Sequence, residues 1–318
     1  MTASIPLARP AADLMPRATP FARVQLGIDF GSASLAAARW ALDNVALRAE
    51  SILTHVMPVP DSLDGDDIDR LETIREMRLG IAGGLGGFAA TLNASSTRNV
   101  IRFGTPSHWL GAVANDTEAS LVVLGRRSDS NRTRVGEPNV IERVARRTSA
   151  SVLVVPERTA PSVERIVAAV DESVFAPKVL AIAKRLARLH EIPLAVLHVL
   201  SPTIGTYARV ARPARQPLNA DAGEPGADGS NVPLRLPVRL GRWLIELGRA
   251  HNVLGRDRTE VTVGDPAREI TSAAAPNDRT LVVLGMRGAE GAPPGSVGSV
   301  ARELLTRGTM PVLAVNGV

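Results

Sequence analysis

The sequence contains no cysteine, which excludes disulfides, thiolate metal ligands and a cysteine nucleophile. Aromatic residues make up only 3% of its 318 residues, so a core must be built from Ala, Val, Leu and Ile. Lysine occurs only at Lys178 and Lys184, and arginine therefore carries nearly all the positive charge, a bias that codon composition accounts for. The formal net charge of +5 is spread along the chain instead of forming a run, so nucleic acid is not expected as a partner. Long apolar runs are also missing. Ile192 to Leu200 is among the longest, well short of the roughly 18 residues that cross a bilayer, so no membrane partner is expected either. Residues 1–22 hold four prolines and no continuous apolar stretch, and read as a flexible tail rather than a signal peptide. Together these absences describe a cytoplasmic protein with an aliphatic core, long enough for two domains.

What is present is a repeat. Leu121-Val-Val-Leu-Gly-Arg-Arg-Ser128 matches Leu281-Val-Val-Leu-Gly-Met-Arg-Gly288 at an offset of 160, as do Gly104-Thr-Pro106 with Gly264-Asp-Pro266 and Val152-Leu-Val-Val155 with Val312-Leu-Ala-Val315. Earlier in each copy the offset is 142 to 143, with Asp29 matching Asp171 and His55-Val56 matching His198-Val199. The difference places a net insertion of 17 residues in the second copy, for which the Pro/Gly/Asp-rich segment 201–233 is the natural place, read as loop.

Each copy alternates short Val/Ile/Leu strands with helical patterns. Strands without clean alternation are covered on both faces, as in an α/β sandwich with a parallel sheet. The expected domains are residues 23–156 and 163–318, joined by a linker at 157–162.

In such a sheet, ligands bind beyond the carboxyl ends of the strands, where the strand order reverses. Asp29 and Asp171 end the first strand of each copy, and Gly125 and Gly285 the fourth. The second copy continues as Gly285-Met-Arg-Gly-Ala-Glu-Gly-Ala-Pro-Pro-Gly-Ser-Val-Gly-Ser299 and enters a helix. Glycines allow close backbone approach and a helix N-terminus attracts an anion, so this stretch is either a phosphate loop or a plain surface loop. It is not a Walker A loop, and no GxGxxG follows the first strand.

The spacing Gly285, two residues, Gly288, nine residues, Gly298-Ser299 resembles the ATP-binding pattern of the universal stress protein family. Val170-Asp-Glu-Ser173, His198-Val199, Gly264-Asp-Pro266 and Pro311-Val-Leu-Ala-Val315 resemble that family too. The resemblance covers both copies. It implies two tandem Rossmann-like α/β sandwiches with mostly parallel five-stranded sheets, strand order 3-2-1-4-5, which pack through their final strands as an internal pseudo-dimer. Association of two chains into a homodimer is left open. It further implies ATP or another adenine nucleotide, with or without Mg, held by Ala169, Asp171, Val199, Gly285, Arg287, Gly288, Gly298, Ser299 and Val300. Asp171 would lie by the ribose or adenine, Val199 would pair with adenine through its backbone, and the glycine loop would wrap ribose and phosphates.

The first copy departs from the pattern. Gly288, Gly298 and Ser299 correspond to Ser128, Pro138 and Asn139, and Asp29 is followed by one extra residue. Its crevice is expected to be vacant. No acidic cluster beyond Asp171 and Glu172 stands near the second loop, so a nucleotide-binding regulatory protein is expected rather than an efficient ATPase. Slow hydrolysis and nucleotide-independent protein binding are the alternatives. Three other features read as structural. The glycine-rich Ala82-Gly-Gly-Leu-Gly-Gly-Phe88 lies in a helical pattern, His55 and His198 lack catalytic partners, and Arg143, Arg146 and Arg147 recur at helical spacing as on a solvated face.

Overall fold

The computed structural model describes residues 19–57, 67–127, 139–200, 216–217, 258–275, 279–288 and 295–317. The first half contains β1 (Arg23–Gly27), α1 (Ser32–Asn44), β2 (Glu50–Met57), α2 (Asp67–Ala89), β3 (Ser96–Phe103), α3 (Pro106–Asp116), β4 (Leu121–Arg126), α4 (Val140–Arg147) and β5 (Ser151–Pro156). The second contains β6 (Arg165–Ala169), α5 (Ala176–His190), β7 (Leu194–Leu200), β8 (Gln216–Pro217), β9 (Arg258–Val263), α6 (Pro266–Ala274), β10 (Thr280–Gly285), α7 (Ser299–Arg307) and β11 (Val312–Val315).

All the strands join one sheet of eleven, in the order β3-β2-β1-β4-β5-β11-β10-β6-β7-β9-β8. Each half keeps the 3-2-1-4-5 order with parallel pairing, and the two halves meet where β5 pairs antiparallel with β11, Leu153 opposite Leu313. Two expected sheets are thus one continuous sheet. The strands at this seam, SVLVVP and VLAV, are buried almost throughout. Leaving either as a bare edge would expose unpaired backbone and apolar side chains. The insertion also differs from a pure loop, because Gln216 and Pro217 form an edge strand on β9; the rest of 201–233 lies outside the described residues.

The core follows the same plan. On one face α1, α2 and α5 pack in a single cluster holding Ala37, Trp40, Leu85, Leu180 and Leu186; on the other, α3, α4, α6 and α7 share a cluster holding Leu110, Val144, Ile270 and Leu304. Both clusters take residues from both halves, so the halves share one interior. Alanine abundance in α1 and α5 lets these helices sit close to the sheet.

One boundary differs from expectation, while the glycine-rich run falls in a helix as read. Phe21, placed by the sequence in the tail, is only 3% exposed within the core, and Thr19 Oγ1 donates to Val45 O at 2.8 Å. The glycine-rich run Ala82 to Phe88 lies within an unbroken α2, where Gly84 leaves room for the Phe30 ring 3.1 Å from a Cβ position.

The connection 157–162 is fastened to α1. Trp40 Nε1 donates to Ala160 O at 2.8 Å, Asn44 Nδ2 to Pro161 O at 2.9 Å, and Val163 N donates to Asn44 Oδ1 at 2.9 Å. His190 Nε2 of α5 lies 2.6 Å from Asn44 O. Asn44 therefore joins one half to the other at a buried position. Asn44→Ala leaves a buried N–H and carbonyl unpaired, and is expected to lower stability by about 2–3 kcal/mol. Chemical denaturation checks this; a loss under about 0.5 kcal/mol would mean that the fastening is unimportant.

Candidate functional site

β6 is the first strand of the second half, and it lies between β7 and β10. The chain passes to opposite sides of β6, which makes this the switch point where an open sheet leaves a crevice. Asp171 stands two residues beyond the end of β6, not at its last position. Its Oδ1 accepts from Ser173 N at 3.1 Å, a short turn that fixes the carboxylate above the strand ends. Leu284 of β10 pairs with Ala169, which brings Gly285 beside the same opening.

The glycine spacing becomes geometry at three points. A Cβ on Gly288 would stand 3.0 Å from Asp171 Oδ2, so the loop and the acid do face one another. Gly298 N donates to Met286 O at 2.9 Å, and a Cβ on Gly298 would lie 3.6 Å from Gly288 N and 3.7 Å from Arg287 Cα. The two ends of the loop therefore close on one another and form a cradle of backbone. A Cβ on Gly285 would stand 2.9 Å from Arg287 O, again within the loop itself.

Gly298 is also the N-cap of α7. No side chain caps this helix, and no acid stands in its first turn, so an anion is not opposed there. Ser299, its first residue, is exposed. Arg287 is half-buried within the loop, and its Nε is buried with no hydrogen-bond partner among the described residues. Ala169, Val199 and Val300 are half-buried on the same side of the sheet, against the α6–α7 core. Of the nine residues inferred from sequence, the structure thus brings Asp171, Gly285, Arg287, Gly288 and Gly298 close together, with Ser299 and Val300 following in α7 and Ala169 and Val199 at the neighbouring strand ends.

Met286 was not anticipated. It is 1% exposed, its N donates to Val315 O at 2.8 Å and its O receives Gly298 N, so it anchors the loop to β11. An apolar residue between glycines carries no such signal in sequence. Gly295 was not singled out either: with φ of 81°, its Cβ position lies 3.6 Å from Arg146 O of α4, so the loop returns against the other half. Among the described residues no group of three His, Cys, Asp or Glu could hold a metal ion, and no helix is long and apolar enough to cross a membrane.

The two histidines have matching structural roles. His55 Nδ1 lies 2.7 Å from Ile28 O, and His198 Nδ1 2.8 Å from Val170 O, each tying the second strand to the turn after the first. Burial pushes the His198 pKa down, against smaller opposing contributions from the Val170 carbonyl, Glu172 and Asp171. A buried histidine favoured in its neutral form contributes stability fully above the unfolded value near 6.5, and this is lost as pH falls from there through the folded value. Acidification from about pH 7.5 to 5.5 should therefore lower the melting temperature, and His198→Gln should flatten that slope in a thermal denaturation series.

The first half has a different crevice. A Cβ on Gly125 would stand 2.3 Å from Ala33 O and 2.6 Å from Ser34 N, so the first turn of α1 sits directly on the end of β4. At Gly285 the nearest atom of the corresponding helix, Val179 Cγ2, is 3.9 Å away. The extra residue after Asp29 accounts for the difference. Phe30 takes a left-handed φ of 61° and packs on His55, ring centroids 5.0 Å apart, while Asp29 Oδ1 accepts from Gly31 N at 2.8 Å and from Ser34 Oγ. Asn139 caps α4 with its own side chain, accepting from Glu142 N at 2.9 Å. Ser128 and Pro138 lie outside the described residues.

The Universal stress protein family model matches the chain twice, over residues 20–156 and 162–316. Among solved structures, a universal stress protein from Archaeoglobus fulgidus DSM 4304 is 15% identical, with a TM-score of 0.64 over 92% of this chain and 96% of its own. A putative universal stress protein from Pseudomonas aeruginosa UCBPP-PA14 is 12% identical, with a TM-score of 0.55 over 93% of each chain. A universal stress protein in complex with cAMP is 24% identical over 43% of this chain and 98% of its own, with a TM-score of 0.34. No curated protein sequence matches significantly. With both halves matched by the family model and a sheet that repeats the same strand order on either side of its seam, the chain belongs to the universal stress protein family as a tandem of two such domains.

Proposed function

We propose that this protein is a nucleotide-binding regulator in which the second half holds one adenine nucleotide, ATP in the first instance, and the first half holds none. The observation that carries this reading is the glycine cradle beside an acid: a Cβ position on Gly288 3.0 Å from Asp171 Oδ2, and Gly298 closing on Gly288. At Gly288 and Gly298 the loop presents backbone without a side chain, as close approach of a phosphate requires. Gly285, Gly288, Gly298, Ser299 and Val300 would hold the phosphates and ribose, with Arg287 supplying positive charge. Asp171 would accept from the ribose or the base, and Ala169 and Val199 would cover the base. Any magnesium would arrive with the phosphates.

Binding rather than turnover fits the residues at hand. Hydrolysis needs a positioned water and charge compensation at the leaving phosphate, and Asp171, the described acid that faces the loop, is turned into its own Ser173 N–H. In the first half α1 and Phe30 occupy the corresponding space, which supports a partner role for that half. Equilibrium titration with ATP tests the assignment. Asp171→Ala should weaken binding about tenfold or more; unchanged affinity would remove Asp171 from the site.

A further inference from the structure

The first half carries a second positively charged feature, on the outer surface between α3 and α4. Thr105, the N-cap of α3, makes no side-chain cap bond, and the first turn has no acid. Pro106 has no amide and the His108 and Trp109 amides donate to Thr105 O at 3.1 and 3.2 Å, so what the first turn offers negative charge is the Ser107 amide and the positive end of the helix dipole. A groove of about 570 Å³ lies there, lined by Thr105, Ser107 and His108 from the start of α3 and by Arg143, Arg146 and Arg147 from α4. Arg146 is engaged by Glu142 on its own helix at 2.7 Å, and the lining still has a surplus of positive charge.

Arg126 adds an independent observation. As the last residue of β4 it is only 9% exposed, and its Nη1 has no hydrogen-bond partner among the described residues. Alternation along the strand puts it on the same face as Val122 and Leu124, which pack beneath α3 and α4. It lies at the carboxyl end of the strand, where both helices begin. Burial also pushes its guanidinium below the ordinary arginine range. A guanidinium N–H buried without an acceptor is costly until one reaches it.

The second half provides the comparison. At the corresponding groove between α6 and α7, Asp265 caps the helix by accepting from Arg268 N at 2.9 Å, and Glu269 follows in the first turn. Glu303 lines that groove where Arg143 lines the first, and a buried Met286 stands where the first half has Arg126. Three corresponding positions thus differ in the same sense. A general arginine bias does not explain a threonine in place of an aspartate cap.

We propose that the α3–α4 groove of the first half binds a small phosphate-bearing anion, at a site separate from the nucleotide crevice of the second half. The anion is either a free oligophosphate or the phosphate groups of a small metabolite. The site stands independently of the nucleotide assignment, and the test is built to keep them apart. Inorganic pyrophosphate and fructose 1,6-bisphosphate are titrated separately, by calorimetry at low salt, into full-length protein carrying Gly288→Asp to close the glycine cradle. Thr105→Asp and Arg143→Glu are then added singly, each installing the residue that the second half already has at that position. Binding of either probe that weakens about tenfold or more in both variants is the expected result. The tighter of the two probes distinguishes the free oligophosphate from the metabolite. Affinity unchanged in both variants, or no binding of either probe at several millimolar, would overturn the proposal.

Discussion

Gly288→Asp is expected to abolish nucleotide binding by the whole chain while leaving it folded. The new Cβ would stand 3.0 Å from Asp171 Oδ2, so the substitution sets a second carboxylate against the first and fills the space a phosphate would use. Like charges at this distance repel strongly in a partly buried crevice. Affinity for ATP should fall at least about a hundredfold, or roughly 2.7 kcal/mol. Gly288 lies in a half-buried loop, clear of the strands, so circular dichroism and the melting temperature should hardly change. ATP affinity within about threefold of wild type would place the nucleotide elsewhere.

The largest effect on stability is expected in the other half. Gly125→Ala adds one carbon 2.3 Å from Ala33 O, 2.4 Å from Ala33 C and 2.6 Å from Ser34 N. All three are backbone atoms of the α1 first turn, which cannot swing aside as a flexible side chain could. Overpacking of this kind should cost about 3 kcal/mol or more, measured by denaturant unfolding. Gly285→Ala meets only Arg287 O at 2.9 Å, within its own loop, and should cost markedly less. Equal losses at the two glycines would contradict a first-half crevice closed by α1.

The origin of that closure shows where sequence reading stopped. The repeat, the alternation of strands and helices, and the spacing of Gly285, Gly288 and Gly298 were all legible, because each depends on residues close along the chain. A seam between Val152 and Ala314 was inferable only through family resemblance. The extra residue after Asp29 was visible as a difference, yet its effect depends on where the first turn of α1 lands on β4, a contact between distant segments. Arg143, Arg146 and Arg147 read as a solvated face because helical spacing says nothing about the neighbouring helix; the start of α3 turns that face into one wall of a groove. Gln216 and Pro217 gave no strand pattern, since a two-residue edge strand is decided by its partner β9 and not by its own residues. Phe21 was missed because the prolines around it resemble a tail.

The stoichiometry of bound nucleotide tests the central reading most directly. Purified full-length protein is saturated with ATP, freed of excess ligand and denatured, and the released adenine nucleotide is quantified by chromatography against protein concentration. One nucleotide per chain, lost in Gly288→Asp, is the predicted result. Two per chain would contradict the closed crevice of the first half. None, with ATP titration silent at millimolar concentration, would contradict nucleotide binding altogether.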